Sequence, residues 1–307
     1  MHNTPLIALT GATGFIGRRL LPALLARGCR LRALARGPQS SLSGLEWVPG
    51  DLAQVNALEQ LCADADIIVH LAASVRGARW EDFSAPNVDG VQHLLTARAR
   101  VAPGSRLLQI SSLAARSPEL SHYAASKAAG ERLAQAAGAT VLRPPAVYGP
   151  GDQELLPLLI GLASGRGFIP GHAGRFSLIF VDDLVAAILS AIDTPLADGG
   201  VYPIDDGHPA GYDWNTIIET VATLRRAPVL PLRIPRSVLS AAAFLASEAQ
   251  RLVGRAPMLT PGKVRELFHP EWVCGHAEFS ARTGWQPRVS LAAGLRATLP
   301  ALSSGDA

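Results

Sequence analysis

The sequence predicts an α/β fold built on a doubly wound parallel sheet, and three observations support that prediction. An apolar run, Leu6–Thr10, leads into glycines and then into a helical pattern, as a buried parallel strand followed by a helix does. Strand-like and helical segments alternate at crossover spacing over residues 1–150, which implies right-handed βαβ units. The chain has 307 residues, of which 48% are hydrophobic, and this is enough for a large core.

The glycines after the first apolar run are spaced three apart, at Gly11, Gly14 and Gly17. In a strand–turn–helix unit, Gly11 allows the tight turn, Gly14 lets the backbone approach a pyrophosphate, and Gly17 lets the helix pack on the strand. The helix N-terminus then offers free N–H groups and a positive dipole end to phosphates. This pattern predicts a dinucleotide site at the first strand–helix crossing. The alternative is an ordinary glycine-rich turn.

The composition argues against several other classes of protein. The net charge is +3 and no Lys/Arg cluster is interleaved with aromatic residues, so nucleic-acid binding is not expected. Cys29, Cys62 and Cys274 lie far apart, which predicts neither a disulfide framework nor a metal site and fits a cytoplasmic protein. A strand begins within a few residues of the N-terminus, which leaves no room for a signal peptide. The longest aliphatic run, Val238–Ala246, is too short for an integral membrane segment.

The end of the second predicted strand, residues 30–36, bears on the choice of cofactor. A carboxylate there would bind the ribose hydroxyls of NAD and repel the 2′-phosphate of NADP. The sequence instead has Ala35 and then Arg36, and an arginine can pair with a phosphate. We therefore expect NADP, with NAD possible; the alternative is that Arg36 is a solvated loop charge. After the third strand, Asp51 can accept from the adenine amino group or cap the next helix.

A proton-transfer site is predicted around Tyr123. On a helix, Tyr123 and Lys127 are four residues apart and share one face. A nearby ammonium lowers the pKa of a tyrosine toward the working pH, as proton transfer to a carbonyl oxygen requires. Ser112 follows the strand-like segment 106–110 and can donate to the same oxygen. The Tyr-x-x-x-Lys spacing alone is common, but here it follows both the glycine motif and the serine pair.

Together these motifs resemble the extended short-chain dehydrogenase/reductase family, within the epimerase/dehydratase superfamily, over nearly the whole chain. The matching segments are 11–17, 50–52, 70–73, 87–90, 110–112, 123–127, 142–144, 147–151, 180–184 and 283–287. The resemblance implies a Rossmann domain of residues 1–150 plus about 175–205. It also implies a smaller C-terminal substrate-binding domain of about 151–174 plus 206–300. Residues 301–307 are expected to be disordered.

The family pattern implies a role for each site residue. Tyr123 would be the general acid/base, Lys127 would hold the nicotinamide ribose and tune Tyr123, and Ser112 rather than Ser111 would orient the substrate oxygen. The implied cofactor contacts are Gly11, Thr13, Gly14, Phe15, Ile16, Gly17, Arg36, Asp51, Leu52, Leu71, Ala72, Ala73, Tyr123, Lys127, Pro144 and Val147. The candidate substrate contacts are Ser74, Asn87, Leu113 and Arg175. Homodimers are frequent in the family, so a homodimer is expected, and no metal is implied.

Three segments narrow the expected reaction. Residues 32–38 look like the NADP-binding turn of dihydroflavonol-4-reductase-like members, and the C-terminal part loosely resembles 3β-hydroxysteroid-dehydrogenase-like proteins. Nucleotide-sugar epimerases usually carry an asparagine where this chain has Pro145 and Ala146. We therefore expect an NADP-preferring oxidoreductase that interconverts a ketone and a secondary alcohol by hydride transfer at nicotinamide C4, on an apolar or aromatic small molecule. The alternatives are a nucleotide-sugar epimerase or dehydratase, and a non-catalytic cofactor-binding scaffold or assembly factor.

Four further expectations concern the second half of the chain. Residues 153–165 are predicted to be helical, and residues 200–204 are predicted to return to the main sheet as a strand. Asp182 and Asp183 are expected to cap the helix that follows them. The 238–246 run is expected to be core; it could also wall a lipophilic pocket or touch a membrane surface.

Overall fold

The computed structural model describes residues 4–171, 174–252, 259–299 and 302. Its strands are β1 (Leu6–Thr10), β2 (Arg30–Ala35), β3 (Leu45–Pro49), β4 (Ile67–His70), β5 (Arg106–Ile110), β6 (Thr140–Arg143), β7 (Ala146–Tyr148), β8 (Arg166–Pro170), β9 (Arg175–Phe176), β10 (Leu178–Phe180), β11 (Val201–Pro203), β12 (Leu230–Ile234) and β13 (Glu271–Trp272). Its α-helices are α1 (Gly17–Ala26), α2 (Val55–Cys62), α3 (Trp80–Ser84), α4 (Gly90–Val101), α5 (His122–Ala136), α6 (Leu156–Ala163), α7 (Val181–Asp193), α8 (Trp214–Arg225), α9 (Arg236–Leu252), α10 (Pro261–Leu267), α11 (Ala277–Thr283) and α12 (Leu291–Thr298).

Seven parallel strands form the central sheet, in the order β11-β6-β5-β4-β1-β2-β3. Strand β1 lies between β2 and β4, with Ile7 opposite Leu31 on one side and Ile67 on the other. Strand order reverses at β1, so the sheet is doubly wound, as the sequence predicts. In such sheets ligands bind beyond the carboxyl ends of the strands at the point of reversal.

Both faces of this sheet are covered by helices, which explains why β1 is buried along its whole length. Apolar residues of α1 and α7 pack on one face, and those of α2, α4 and α5 pack on the other. Each helix therefore contributes one apolar stripe to a core that also contains the buried strand residues.

The predicted return strand is confirmed, because β11 pairs in parallel with β6 through Val201 and Val141. The expected caps are wrong: α7 begins at Val181, which places Asp182 and Asp183 inside its first turn. The buried Asp183 carboxylate instead accepts from the backbone N–H groups of Arg288 and Val289, at 3.0 and 2.9 Å. This side chain therefore anchors the C-terminal segment to the sheet domain.

The remaining elements form a smaller layer beside the carboxyl ends of the sheet strands. Three two-stranded parallel pairs form here, β7 with β10, β8 with β12 and β9 with β13. Residues of β7, β8 and β10 pack with those of α6, α8 and α12 in a second apolar core. The helix predicted over 153–165 is shorter than expected. The Asp152 carboxylate accepts from three backbone N–H groups at the start of α6, and the chain turns into β8 at Arg166. The exact division into two domains stays a prediction.

The aliphatic run over 238–246 lies on α9 and is core in only part of its length. Ala243 is fully buried, whereas Val238, Phe244 and Leu245 are 56, 59 and 68% exposed. The expectation of a continuous core segment is therefore wrong, because α9 packs through a narrow stripe. In the described ranges, every helix is too short or too polar to cross a bilayer. Apart from residue 302, the expected disordered tail lies outside the described residues; cytoplasmic location and dimerisation stay predictions.

Candidate active site

The turn between β1 and α1 is shaped by glycines. Gly11 has a φ of +74°, and a Cβ there would lie 2.7 Å from the backbone nitrogen of Ala72. A Cβ on Gly17 would lie 2.1 Å from the carbonyl oxygen of Gly11. Because both contacts involve backbone, only hydrogen fits at these two positions. The start of α1 is thereby held against the ends of β1 and β4, the geometry that leaves room for a phosphate group at the sheet edge.

A buried polar pair fixes the neighbouring strand ends. The Thr10 hydroxyl lies 2.7 Å from Nδ1 of His70 and accepts from the backbone N–H of Ala72 at 3.2 Å. Burial lowers the pKa of His70 to about 3, so this imidazole is neutral at physiological pH. His70 therefore joins β1 to β4 rather than supplying a proton.

The expected cofactor residues gather along one edge of the sheet. Arg36 is exposed directly after β2, and Asp51 lies after β3, where its carboxylate accepts from the N–H of Ala53 at 2.9 Å. This bond is of the kind expected if Asp51 caps the following helix, which is the alternative that the sequence left open. Contact between Asp51 and adenine stays a prediction. The other expected contacts follow β1, β3, β4 and β6 or lie in β7, at Thr13, Phe15, Ile16, Leu52, Leu71, Ala72, Ala73, Pro144 and Val147.

Tyr123 lies in the first turn of α5, which Ser121 caps by accepting from the N–H of Ala124 at 2.9 Å. The Ser112 side chain, which follows β5, lies beside the Tyr123 phenol and lowers its pKa. Lys127, one turn further along α5, donates to the carbonyl oxygen of Ile110 at 3.0 Å. The structure thus brings Ser112 to Tyr123, whereas the Lys127 ammonium is bonded to the end of β5.

The sequence predicts that Lys127 lowers the pKa of Tyr123, and the electrostatics of the structure differ from this expectation. Burial raises the pKa of the Tyr123 phenol, and it outweighs the lowering by the Ser112 hydrogen bond and by the Lys263 ammonium. Burial also lowers the pKa of Lys127 to about 8, against the opposing effect of the Glu131 carboxylate. Desolvation, which a helix-spacing argument ignores, therefore decides both directions.

Glu131 gives Ser111 and Ser112, the two serines after β5, different partners. The sequence did not point to Glu131 as a site residue. Its buried carboxylate accepts from the Ser111 hydroxyl at 2.6 Å and from Nε of Arg143 at 2.9 Å. Ser111 is therefore committed to this ion pair, while Ser112 is at Tyr123. A buried carboxylate is held charged only when it is paired in this way.

A cavity of about 160 Å³ opens beside Tyr123. One wall is apolar and comes from the segment between β4 and α4, and the other comes from α10 and carries charged side chains. The lining residues are Val75, Gly77, Ala78, Phe83, Ser121, His122, Tyr123, Thr260, Pro261, Gly262, Lys263, Arg265 and Glu266. The sequence reading missed the entire α10 wall. Its local signal, Thr260 before Pro261, marks a helix start but not what that helix faces.

The four candidate substrate contacts lie outside this lining. The Asn87 amide accepts from the N–H of Ser74 at 2.7 Å and donates to Ser74 and Ser126, so it positions the loop after β4. Leu113 is buried. The Arg175 guanidinium donates to the carbonyl oxygens of residues 210 and 211. The structure therefore uses these side chains for packing and loop support, and does not bring them to the cavity.

Within the part of the chain that the structure describes, no three His, Cys, Asp or Glu side chains converge in the way a metal site requires. The three cysteines carry free thiols.

Comparison with known proteins places these features in a family context. A family model described as "NAD dependent epimerase/dehydratase family" matches residues 7–204. A ceramide reductase of Caulobacter vibrioides is 37% identical over 274 residues, covering 87% of this chain and 85% of the relative. A 2-alkyl-3-oxoalkanoate reductase of Shewanella oneidensis is 25% identical over 333 residues, covering 94% of this chain and 84% of the relative.

A solved structure, MoeE5 in complex with UDP-glucuronic acid and NAD, superposes with a TM-score of 0.75 at 22% identity. The superposition covers 97% of this chain and 99% of the MoeE5 chain. At this identity the likeness shows the fold.

Proposed function

The chain belongs to the NAD dependent epimerase/dehydratase family, and we propose that within it the protein is a nicotinamide-dependent ketoreductase. It would interconvert a lipophilic ketone and the corresponding secondary alcohol. The observation that carries the proposal is the Tyr123 phenol, which has Ser112 beside it and lines a cavity with one apolar wall. The presence of Ser112, Tyr123 and Lys127 together argues against a scaffold that uses the fold without chemistry.

The chain's own residues fit a dinucleotide at the edge of the sheet. The glycine turn has no room for side chains at Gly11 and Gly17, which leaves backbone N–H groups and the start of α1 to hold a pyrophosphate. Lys127 would hold the nicotinamide ribose, and Arg36 would meet a 2′-phosphate. When bound there, the nicotinamide would supply the hydride that reduction of a ketone needs.

Proton transfer falls to the side chains around the cavity. The Tyr123 O–H bond breaks as the substrate oxygen gains the proton, and Ser112 donates a hydrogen bond to that oxygen. The tyrosinate left behind is a half-buried anion. Its charge would be offset by the Lys263 ammonium, which already lowers the pKa of Tyr123, and by the Lys127 ammonium, itself supported by Glu131. Solvent then returns a proton to Tyr123.

The relatives support a lipophilic substrate. Two of them are named for reductases of ceramide and of 2-alkyl-3-oxoalkanoates, both of which carry alkyl chains. Val75, Ala78 and Phe83 give the cavity an apolar wall that suits such a chain. Where a sugar-nucleotide enzyme of the family carries an asparagine, this chain has Pro145 and Ala146, neither of which offers a side-chain donor to a diphosphate.

The experiment is to mix the purified protein with NADPH and either 2-undecanone or UDP-glucose. Ketone-dependent loss of NADPH absorbance is expected, and alcohol should form in equal amount. UDP-glucose should leave both the absorbance and the melting temperature unchanged. Stabilisation by UDP-glucose without turnover of any ketone would replace the proposal by a sugar-nucleotide activity.

Replacing Arg36 by alanine is expected to lower the ratio of kcat/KM for NADPH over NADH by roughly tenfold, the usual worth of a charge-assisted bond to phosphate. The ratio of initial rates with the two cofactors measures it. Arg30→Ala is the matched control, because Arg30 is also exposed but begins β2, at the opposite edge of the sheet. Equal changes in the two variants would mean that Arg36 acts only through the overall charge.

A further inference from the structure

Helix α10 is built onto the start of the helix that carries Tyr123. The Glu266 carboxylate is hydrogen-bonded to the Ser121 hydroxyl, which caps α5, and Nε of Arg265 donates to the carbonyl oxygen of Leu120 at 2.6 Å. A Cβ on Gly262 would lie 2.9 Å from Cβ of Ser121, so the two helices are in close contact. The cavity wall formed by α10 is therefore fixed relative to Tyr123.

This contact places the Lys263 ammonium beside the reacting site. Thr260 caps α10 by accepting from the N–H of Lys263 at 3.1 Å, and the Lys263 ammonium lies 3.3 Å from the Glu266 carboxylate. Burial opposes the charge, but Glu266, Tyr123 and Glu154 together raise the pKa of Lys263. Lys263 therefore stays an ammonium at neutral pH. An ammonium has three donors, and the long bond to Glu266 uses one of them.

Charges around the cavity favour an electron-rich ligand group. Two cations, Lys263 and Arg265, line it against one carboxylate, Glu266. The Arg265 guanidinium donates to Leu120, and the Glu266 carboxylate is shared between Ser121 and Lys263, which leaves two donors of the Lys263 ammonium for a ligand. Lys263 is thus the charged group of the lining that is best placed to bind a ligand.

The size of the cavity and its apolar wall indicate how the rest of a ligand would lie. A volume of about 160 Å³ is below the range of about 300–1,000 Å³ that encloses a drug-sized ligand. Only the reacting end of a chain-bearing substrate fits. Val75 lines the cavity and is 51% exposed, and Trp80, 37% exposed, has its ring 6.3 Å from that of the lining residue His122. These two side chains offer an apolar path outward.

We propose that the cavity selects a ketone with a second oxygen-bearing group, a carboxylate or an amide carbonyl, one carbon away from the reacting carbon, and that Lys263 binds this second group. In so small a cavity, an acceptor held by Lys263 while the ketone oxygen meets Tyr123 must be within a few bonds of it. The alkyl chain then leaves over Val75 and Trp80. This inference rests on the proposed ketoreductase function and names its substrate class as 3-oxo acids and 3-oxo amides.

The test measures binding instead of turnover. With NADP⁺ present a ketone cannot be reduced, so calorimetry can compare 3-oxododecanoate with 2-undecanone, the ketone that remains when the carboxylate is removed. The native protein is expected to bind 3-oxododecanoate roughly tenfold or more tightly, as a hydrogen bond between charged groups allows. In Lys263→Met this preference should fall to near unity while 2-undecanone binding stays the same. An N-alkyl 3-oxo amide distinguishes the two sources of oxygen, because it keeps the acceptor without the charge.

Two further variants control the experiment. Lys263→Arg keeps the cation and should keep the preference. Arg282→Met removes a cation of α11 that lies outside the cavity lining and is paired with Glu278, so it should leave the preference unchanged. Lys263→Gln gives a second reading should Lys263→Met fail to fold. The inference is overturned when the native protein shows no preference for either oxygen-bearing ligand, or when Lys263→Met and Lys263→Gln weaken both ligands equally. Absence of ketone reduction with NADPH would remove the proposed function and leave these binding results standing.

Discussion

Replacement of Tyr123 by phenylalanine should lower kcat for ketone reduction by roughly 10²–10⁴-fold, the usual worth of a positioned general acid. The phenol lines the cavity beside Ser112, and phenylalanine keeps the ring while removing the proton. Affinity for NADPH, measured by fluorescence titration, should change little, because the lost hydroxyl serves the substrate oxygen.

Tyr148→Phe is the matched control for this loss. Its hydroxyl is buried and has no hydrogen-bond partner among residues 4–171, 174–252, 259–299 and 302. Removing it should leave turnover intact and should leave the free energy of unfolding equal or slightly higher. Turnover by Tyr123→Phe within tenfold of the native rate would show that another group delivers the proton.

Replacement of Gly17 by alanine should remove tight cofactor binding and destabilise the protein by about 3 kcal/mol or more, beyond ordinary overpacking. The new methyl group would meet the Gly11 carbonyl oxygen at 2.1 Å and backbone carbons of Ala12 at 2.7 Å. These atoms belong to the turn itself, so α1 must move away from β1. Urea unfolding and titration with NADPH measure the two effects.

Gly104→Ala provides the comparison, because a Cβ at Gly104 meets nothing within 4 Å. Its free energy of unfolding should stay within about 0.5 kcal/mol of the native value. A Gly17→Ala variant as stable as this control, with native affinity for NADPH, would contradict the role given to the turn.

The sheet could be predicted from sequence because its signals are local. The buried run Leu6–Thr10, the glycine spacing and the alternation of elements each depend on residues close together in the chain, and the seven-stranded order confirms what they imply. The return strand at 200–204 was likewise readable from its own residues.

The errors and omissions arise where partners are far apart in sequence. Asp183 looks like a helix cap because its neighbours begin a helix, yet its carboxylate is used by Arg288 and Val289, more than 100 positions away. In the sequence, Glu131 looks like an ordinary polar residue of a helix. Only the structure shows that Arg143 and Ser111 both donate hydrogen bonds to its carboxylate. The direction in which the pKa of Tyr123 shifts depends on burial, and the spacing of residues along a helix does not reveal burial.

The hydrogen bond between Ser121 and Glu266 joins two residues that are 145 positions apart in the chain. This bond has a consequence for how the substrate preference of such a protein can evolve. In the proposed reaction, acid–base chemistry lies with residues 112–127, and the choice of the ligand's second oxygen-bearing group lies with residues 260–267. Because Glu266 holds α10 to Ser121, substitutions at the other positions of 260–267 are expected to change the group that is bound while leaving Tyr123 in place. Laboratory evolution that varies residues 260–267 but keeps Glu266 is therefore expected to change substrate preference with little loss of kcat.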